Sequence, residues 1–341
     1  MSTAMPHSPV PGQEPILIAG PPRSGTTWEF NVLRQAAGVL NQYEPDNLKH
    51  NPLALYALAG LHRFPMAERA AQSAGWQQFW DQVFAGGWQS GLPLRALRRW
   101  YRWRNRSVEL AIQQRSGAPI PANPYLTYTP SQGAVNPFSS SRLVNWTEAA
   151  IRRPAGDRRV LVKSVHCLRT IDLLRERYRP RIVLITRSLP NLVASYLRTR
   201  FPDGCRGIGP TAPYRLEAER QLHEAGGSDG ELFQRIVIQA CELTRILIDY
   251  AAAQPEAILV RHETACLDPE AHYRSLFGRL GLAWSPKVEN YLRQVDKPRS
   301  GTRAVRVASQ EQVRYTDQLD DAQLAIIQVY AGIYSLADYA P

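Results

Sequence analysis

Ile16-Leu17-Ile18-Ala19-Gly20-Pro21-Pro22-Arg23-Ser24-Gly25-Thr26-Thr27-Trp28 is the stretch from which the fold is read. Four apolar residues stop at Gly20, the pattern of a short buried strand. A helical pattern then runs from Thr26 to Gly38, with Ser24 or Thr26 available as its cap. A loop between a buried strand and a helix is an anion cradle, because backbone N–H groups converge there and the helix N-terminus adds positive potential. Gly20 and Gly25 keep the glycine spacing of the nucleotide-triphosphate loop G-x-x-x-x-G-K-[ST]. Thr26 stands where that loop carries lysine, and the cation comes earlier, as Arg23. The loop therefore suits a phosphate or sulfate, and the missing lysine weakens an ATPase or GTPase reading.

Working outward, strands alternate with helices. Val39–Tyr43, Arg159–Val162, Arg181–Thr186 and Ala257–Arg261 read as strands. Leu168–Tyr178, Pro190–Arg200, much of Pro213–Ala253, and Pro269–Leu280 read as helices. This alternation predicts an α/β fold, a parallel sheet flanked by helices. Residues 1–14 are Pro/Ser-rich without an apolar core, so a disordered leader is expected rather than a signal peptide. Residues 15–341 are expected to form a single domain. Within it, 52–156 breaks the alternation and reads as a helical and loop insertion.

Composition bounds the function. Of 341 residues, 44% are hydrophobic and 21% charged, which excludes a disordered, collagenous or coiled-coil chain. A chain of this length can bury a large core without disulfides or metal. The net charge is +11, and 37 of the 41 basic residues are arginine, the side chain that grips planar oxyanions bidentately. The charge favours anionic partners. Cys167, Cys205, Cys241 and Cys266 have no CxxC spacing, so neither a zinc nor a redox site is indicated. Scattered cysteines and the lack of a membrane-length apolar run point to a reduced, cytoplasmic protein.

Pro21-Pro22-Arg23-Ser24-Gly25-Thr26-Thr27-Trp28 after a strand resembles the 5′-phosphosulfate loop of the sulfotransferases that use 3′-phosphoadenosine 5′-phosphosulfate (PAPS). The resemblance implies that Arg23, Ser24, Gly25, Thr26 and Thr27 hold the 5′-phosphosulfate and that Trp28 packs on adenine. Arg23 departs from cytosolic members, which commonly carry lysine there. A second stretch, Arg187-Ser188-Leu189-Pro190-Asn191-Leu192-Val193-Ala194-Ser195, follows a strand and opens a helix. It resembles the family's 3′-phosphate motif, an arginine followed eight positions later by serine. A third, Arg261-His262-Glu263-Thr264-Ala265-Cys266-Leu267-Asp268-Pro269, resembles a family segment in which a tyrosine lies near adenine; His262 stands at that tyrosine. His262-Glu263-x-x-Cys266 is also a near miss to the HExxH zinc motif. It is set aside because the pattern reads as strand and the second histidine is absent.

Sulfuryl transfer needs in-line positioning, cations on the developing charge and a base for the acceptor hydroxyl. The resemblance offers two bases. Glu44, in Tyr43-Glu44-Pro45-Asp46 after the second strand, matches the Glu-Pro segment of carbohydrate-acting members and is preferred. His166, in Lys163-Ser164-Val165-His166, resembles the Lys-Thr-His segment of cytosolic members, displaced by one residue. Lys163 could touch the transferring group in either scheme, and Arg23 would stabilise the leaving phosphate. The resemblance thus implies PAPS as donor co-substrate, no metal, and a small-molecule or glycan hydroxyl as acceptor, with no nucleic acid as partner. Arg95–Arg106, with Trp100, Tyr101 and Trp103 interleaved, reads as an acceptor face, a membrane-surface element or a solvated helix. Lys297–Arg303 is a basic loop of the kind that could close on the 3′-phosphate. The rival readings are a P-loop nucleotide kinase or NTPase, and a non-catalytic protein that binds anions or nucleic acid.

Overall fold

β1 (Ile16–Ala19) buries all four of its side chains, as a strand covered on both faces must. The computed structural model of the chain describes residues 13–47, 51, 54, 58, 61, 64–87, 154–198, 214–224, 230–295, 315 and 317–341. After β1 come α1 (Thr26–Leu33), β2 (Val39–Tyr43), α2 (Ala67–Gln72), α3 (Ala74–Phe84), β3 (Arg159–Ser164), α4 (Ile171–Tyr178), β4 (Arg181–Thr186) and α5 (Leu189–Arg198). They are followed by α6 (Tyr214–Glu224), α7 (Glu231–Ala253), β5 (Ile258–Arg261), α8 (His262–Leu267), α9 (Pro269–Leu280), α10 (Pro286–Val295) and α11 (Asp321–Ile333). The strands form one all-parallel sheet in the order β2-β3-β1-β4-β5. Ile16 pairs with Arg181, and Val183 with Ile258. This is the helix-flanked parallel sheet that the alternation predicts. The apolar letters of β5 predict a buried strand, but its burial alternates, with Ile258 and Val260 buried and Leu259 38% exposed at the edge of the sheet.

The chain divides into two compact units. The first comprises Met1–Pro15 and Leu40–Pro180, the second Ile16–Val39 and Arg181–Pro341. In the first, the apolar face of α3 presents Trp76, Phe79, Trp80 and Phe84, all buried. Phe84 stacks on Tyr178 of α4 at 4.3 Å. Arg177 grips Asp81 through two hydrogen bonds of 2.8 Å, and the Tyr178 hydroxyl donates to the same carboxylate. In the second, Leu192, Tyr196, Ile236, Val237, Tyr330 and Tyr334 lock α5, α7 and α11 around one apolar core.

Three elements end where the sequence pattern does not. The helix after the loop stops at Leu33 rather than Gly38: Gln35 and Ala36 bond back three residues, and Gly38 takes φ +70° to turn the chain into β2. The helix expected from Leu168 starts at Ile171, since Cys167–Thr170 is a turn closed by the Thr170 N–H on the Cys167 carbonyl at 2.8 Å. His262 opens a short helix, so the strand argument against a zinc motif there does not hold. Among the described residues, however, no three His, Cys, Asp or Glu side chains are grouped to hold a metal. No described helix is long and apolar enough to cross a membrane. Most of 52–156, and all of 95–106 and 297–303, lie outside the described residues.

Candidate functional site

The second unit carries the glycine-bounded loop between β1 and α1. Gly25 is the N-cap of α1 with φ +105°, and no side chain caps the helix, contrary to the capping expected from Ser24 or Thr26. An uncapped N-terminus keeps its backbone donors and positive potential for an anion. Ser24 is fully buried, and its Oγ has no hydrogen-bond partner among the described residues. A buried hydroxyl without a partner costs stability unless a ligand satisfies it. Arg23 sits at φ 72°, a left-handed conformation that is uncommon outside glycine and clusters at functional sites. A side chain at Gly20 would lie 2.6 Å from the Ile185 carbonyl, and one at Gly25 would strike the His262 ring. The loop is therefore held tight against the ends of β4 and β5.

The second motif meets this loop directly. Arg23 Nε donates to Ser195 Oγ at 3.0 Å, across 172 positions of sequence. Arg187 Nη1 donates to the Arg23 carbonyl at 3.1 Å. Arg187 is 6% exposed and Ser195 3%, so neither is the solvated surface group that the motif alone would permit. Glu263 on α8 accepts the Ser188 N–H at 3.0 Å and so caps the start of α5 just after Arg187. The sequence reading missed this role of Glu263. Its partner lies 75 residues away, so no local signal announces it.

His262 is 2% exposed and stands edge-on to Trp28, with centroids 5.6 Å apart. Tyr273 makes a second edge contact with Trp28 at 5.3 Å. Glu29, the next residue on α1, is buried and receives the Tyr273 hydroxyl; His272 Nε2 lies 3.2 Å from its Oε1. Trp28 is thus an aromatic anchor of α1 with 7% of its surface open. Its indole Nε1 has no hydrogen-bond partner among the described residues.

The first unit holds an acid–base cluster where β2 and β3 end. Lys163, 1% exposed, makes a close ion pair with Glu44 Oε1, and the Asn47 amide donates to Glu44 Oε2. The Glu44 N–H donates to the Lys163 carbonyl at 2.7 Å, and Glu44 is held at φ 42°. The Lys163 ammonium also stands 4.8 Å from the centre of the Tyr43 ring. His166 is buried against Phe64, with its Nδ1 4.0 Å from Asp46 Oδ1. Burial pushes the Asp46 carboxyl up to about 7; the Ser164 hydrogen bond opposes that rise and the charge of Glu44 adds to it. Both base candidates and Lys163 are therefore neighbours in one cluster.

No family model matches the chain, and no curated protein does. Among solved structures it is similar to sulfotransferase STF1 from Mycobacterium tuberculosis H37Rv, at 12% identity over 95% of this chain and 76% of that one, with a TM-score of 0.41. It is also similar to the sulfotransferase domain from the curacin biosynthetic pathway, at 13% identity over 96% and 99%, with a TM-score of 0.40. A third likeness is to sulfotransferase STF9 from Mycobacterium avium, at 11% identity over 95% and 77%, with a TM-score of 0.42. These three solved structures are sulfotransferases.

Proposed function

We propose that this chain transfers a sulfuryl group from PAPS to a hydroxyl acceptor. The observation that carries the proposal is the Arg23–Ser195 hydrogen bond, which joins the phosphate loop to the second motif. An NTP-binding loop needs no such partner, whereas a nucleotide phosphorylated on both 5′ and 3′ positions does. In this reading Ser24, Gly25, Thr26 and Thr27 receive the 5′-phosphosulfate at the N-terminus of α1. Arg187 and Ser195 take the 3′-phosphate, and Trp28 and His262 border the adenine. Arg23 couples the two anion sites and stabilises charge on the leaving phosphate.

In the reaction the acceptor oxygen bonds to sulfur as the bond from sulfur to the donor phosphate oxygen breaks. The electron pair leaves with the phosphate, and the hydroxyl proton passes to a base. Glu44 is the base favoured by motif, but both of its oxygens are engaged, one by Lys163 and one by Asn47. That supports a different division of roles: His166 takes the proton, and Glu44 holds Lys163 for the transferring group. The acceptor is a small molecule or glycan bearing a hydroxyl, with nucleic acid excluded from the proposal. The buried thiols of Cys167, Cys241 and Cys266 fit a reducing, cytoplasmic setting.

The test is calorimetric binding of 3′-phosphoadenosine 5′-phosphate, the spent donor, beside AMP and ATP. Tight binding that requires the 3′-phosphate is expected. Indifference to that phosphate, with ATP preferred, would replace the proposal with a nucleotide kinase or NTPase. Salt-steep binding of DNA or RNA with no response to the spent donor would favour a nucleic-acid binder.

A further inference from the structure

The acid–base cluster contains a carboxylate that neither the motifs nor the proposed reaction uses. Asp46 follows β2 and is 7% exposed. Its Oδ2 accepts the Ser164 hydroxyl at 2.6 Å. The Ser164 oxygen in turn accepts the N–H of His166 at 3.0 Å and of Cys167 at 3.1 Å. Through this serine, Asp46 fixes the backbone that carries the imidazole. Its other oxygen, Oδ1, has no hydrogen-bond partner among the described residues and lies 4.0 Å from His166 Nδ1. Phe64 stands edge-on to the imidazole on another side, with centroids 5.7 Å apart.

We propose that Asp46 is a positioning residue for His166, holding the proton of the neutral imidazole on Nδ1 so that Nε2 is the basic nitrogen. The purpose of this arrangement rests on the sulfuryl-transfer reading; its geometry does not. A carboxylate facing one ring nitrogen fixes the tautomer and stabilises the imidazolium formed when the other nitrogen takes a proton. A separation of 4.0 Å is longer than a hydrogen bond and short enough for one to form with a small movement of either side chain. Such bonds are commonly long without substrate and shorten in the reacting complex. The acceptor proton goes to Nε2 as the acceptor oxygen bonds to sulfur and the bond from sulfur to the donor phosphate oxygen breaks, and the Nδ1 proton stays on the ring facing Asp46. Among the described residues, the charged and titratable groups facing Asp46 are Glu44, Lys163, His166 and Cys167. The thiol does not compete for protons near neutrality: burial, with the charge of Asp46, pushes it up to about 12.

The experiment is long-range proton–nitrogen NMR of the full chain labelled at histidine, with His166 assigned by His166→Gln. Above neutral pH the wild type should show His166 protonated on Nδ1. Asp46→Asn keeps an acceptor for Ser164 but loses the charge. It should shift His166 toward the Nε2-protonated form and lower kcat by about 10²–10⁴-fold with KM for PAPS unchanged. Asp46→Glu should restore part of both. An Nε2-protonated His166 in the wild type overturns the proposal even if every Asp46 variant fails to fold. So does an Asp46→Asn protein whose tautomer and kcat match the wild type. Binding of the spent donor is measured on the same samples. Loss of that binding in the wild type would sink the sulfuryl reading while the tautomer still decides the role of Asp46.

Discussion

Arg187 and Ser195 stand eight positions apart, a spacing readable from sequence, but their burial and their common neighbour Arg23 are not. A charge-assisted phosphate contact contributes about 1.5–3 kcal/mol. Arg187→Ala should therefore weaken the spent donor by about 10- to 100-fold and leave AMP unchanged, as read by calorimetry. Equal affinity of mutant and parent for the 3′-phosphorylated nucleotide would remove Arg187 from the site. Glu44 and His166 give a second comparison. His166→Ala should lower kcat by about 10²–10⁴-fold at intact donor binding. Glu44→Gln removes the carboxylate paired with the buried Lys163 ammonium, which costs about 3–5 kcal/mol. Its first symptom should be a lower melting temperature, with a smaller loss of kcat than His166→Ala. The reverse order of the two kcat effects would return the base role to Glu44.

At the scale of elements, the loop before α1 and the turn before α5 lead into two helix N-termini finished in opposite ways. α1 begins at Gly25 without a side-chain cap, which leaves its end for an anion. The start of α5 is capped at Ser188 by Glu263 from α8. Glu263→Ala should cost about 1 kcal/mol, the usual worth of such a cap. Arg187 lies just before the capped turn, so the same variant should also weaken the spent donor in calorimetry. Unchanged affinity would make Glu263 purely structural. α1 and the strand before it were legible because hydrophobic run, glycine and helix pattern are all local. The early end of α1 and the turn before α4 were not, since each is set by hydrogen bonds that periodicity does not encode. Likewise, β5 looked buried from its apolar letters, yet in the folded sheet Leu259 is exposed.

For the whole molecule, two carboxylates in the first unit give opposite pH dependence of stability. Burial raises Asp46 to about 7, with Ser164 opposing the rise and Glu44 adding to it. The folded state therefore binds its proton more tightly than the unfolded chain does. Its contribution falls as pH rises from about 4, the unfolded value, to about 7. Asp46→Asn should flatten that fall in urea unfolding measured across the range. Asp81 has the other sign. Burial pushes it up, but the Arg177 and Tyr178 hydrogen bonds outweigh burial and hold it below its usual value. Its stabilisation is present above the unfolded value near 3.9 and is lost as pH falls through the lower folded one. Asp81→Asn should destabilise at neutral pH by about 1 kcal/mol or less, since the pair is partly exposed, and the difference should vanish in acid. A difference that persists unchanged in acid would show that packing rather than charge accounts for it.

By itself the sequence determined the parallel α/β class and the loop at the end of the first strand. These follow from spacing along a few neighbouring residues, which strand and helix geometry converts directly into position. Tertiary structure alone decided that Arg23 reaches Ser195, that Glu263 caps α5, that both Glu44 oxygens are engaged, and that Asp46 faces His166 through Ser164. Apart from the Asn47 contact with Glu44, each joins side chains from elements far apart in the chain. Their approach is fixed by strand order and burial, which no local pattern of residues records.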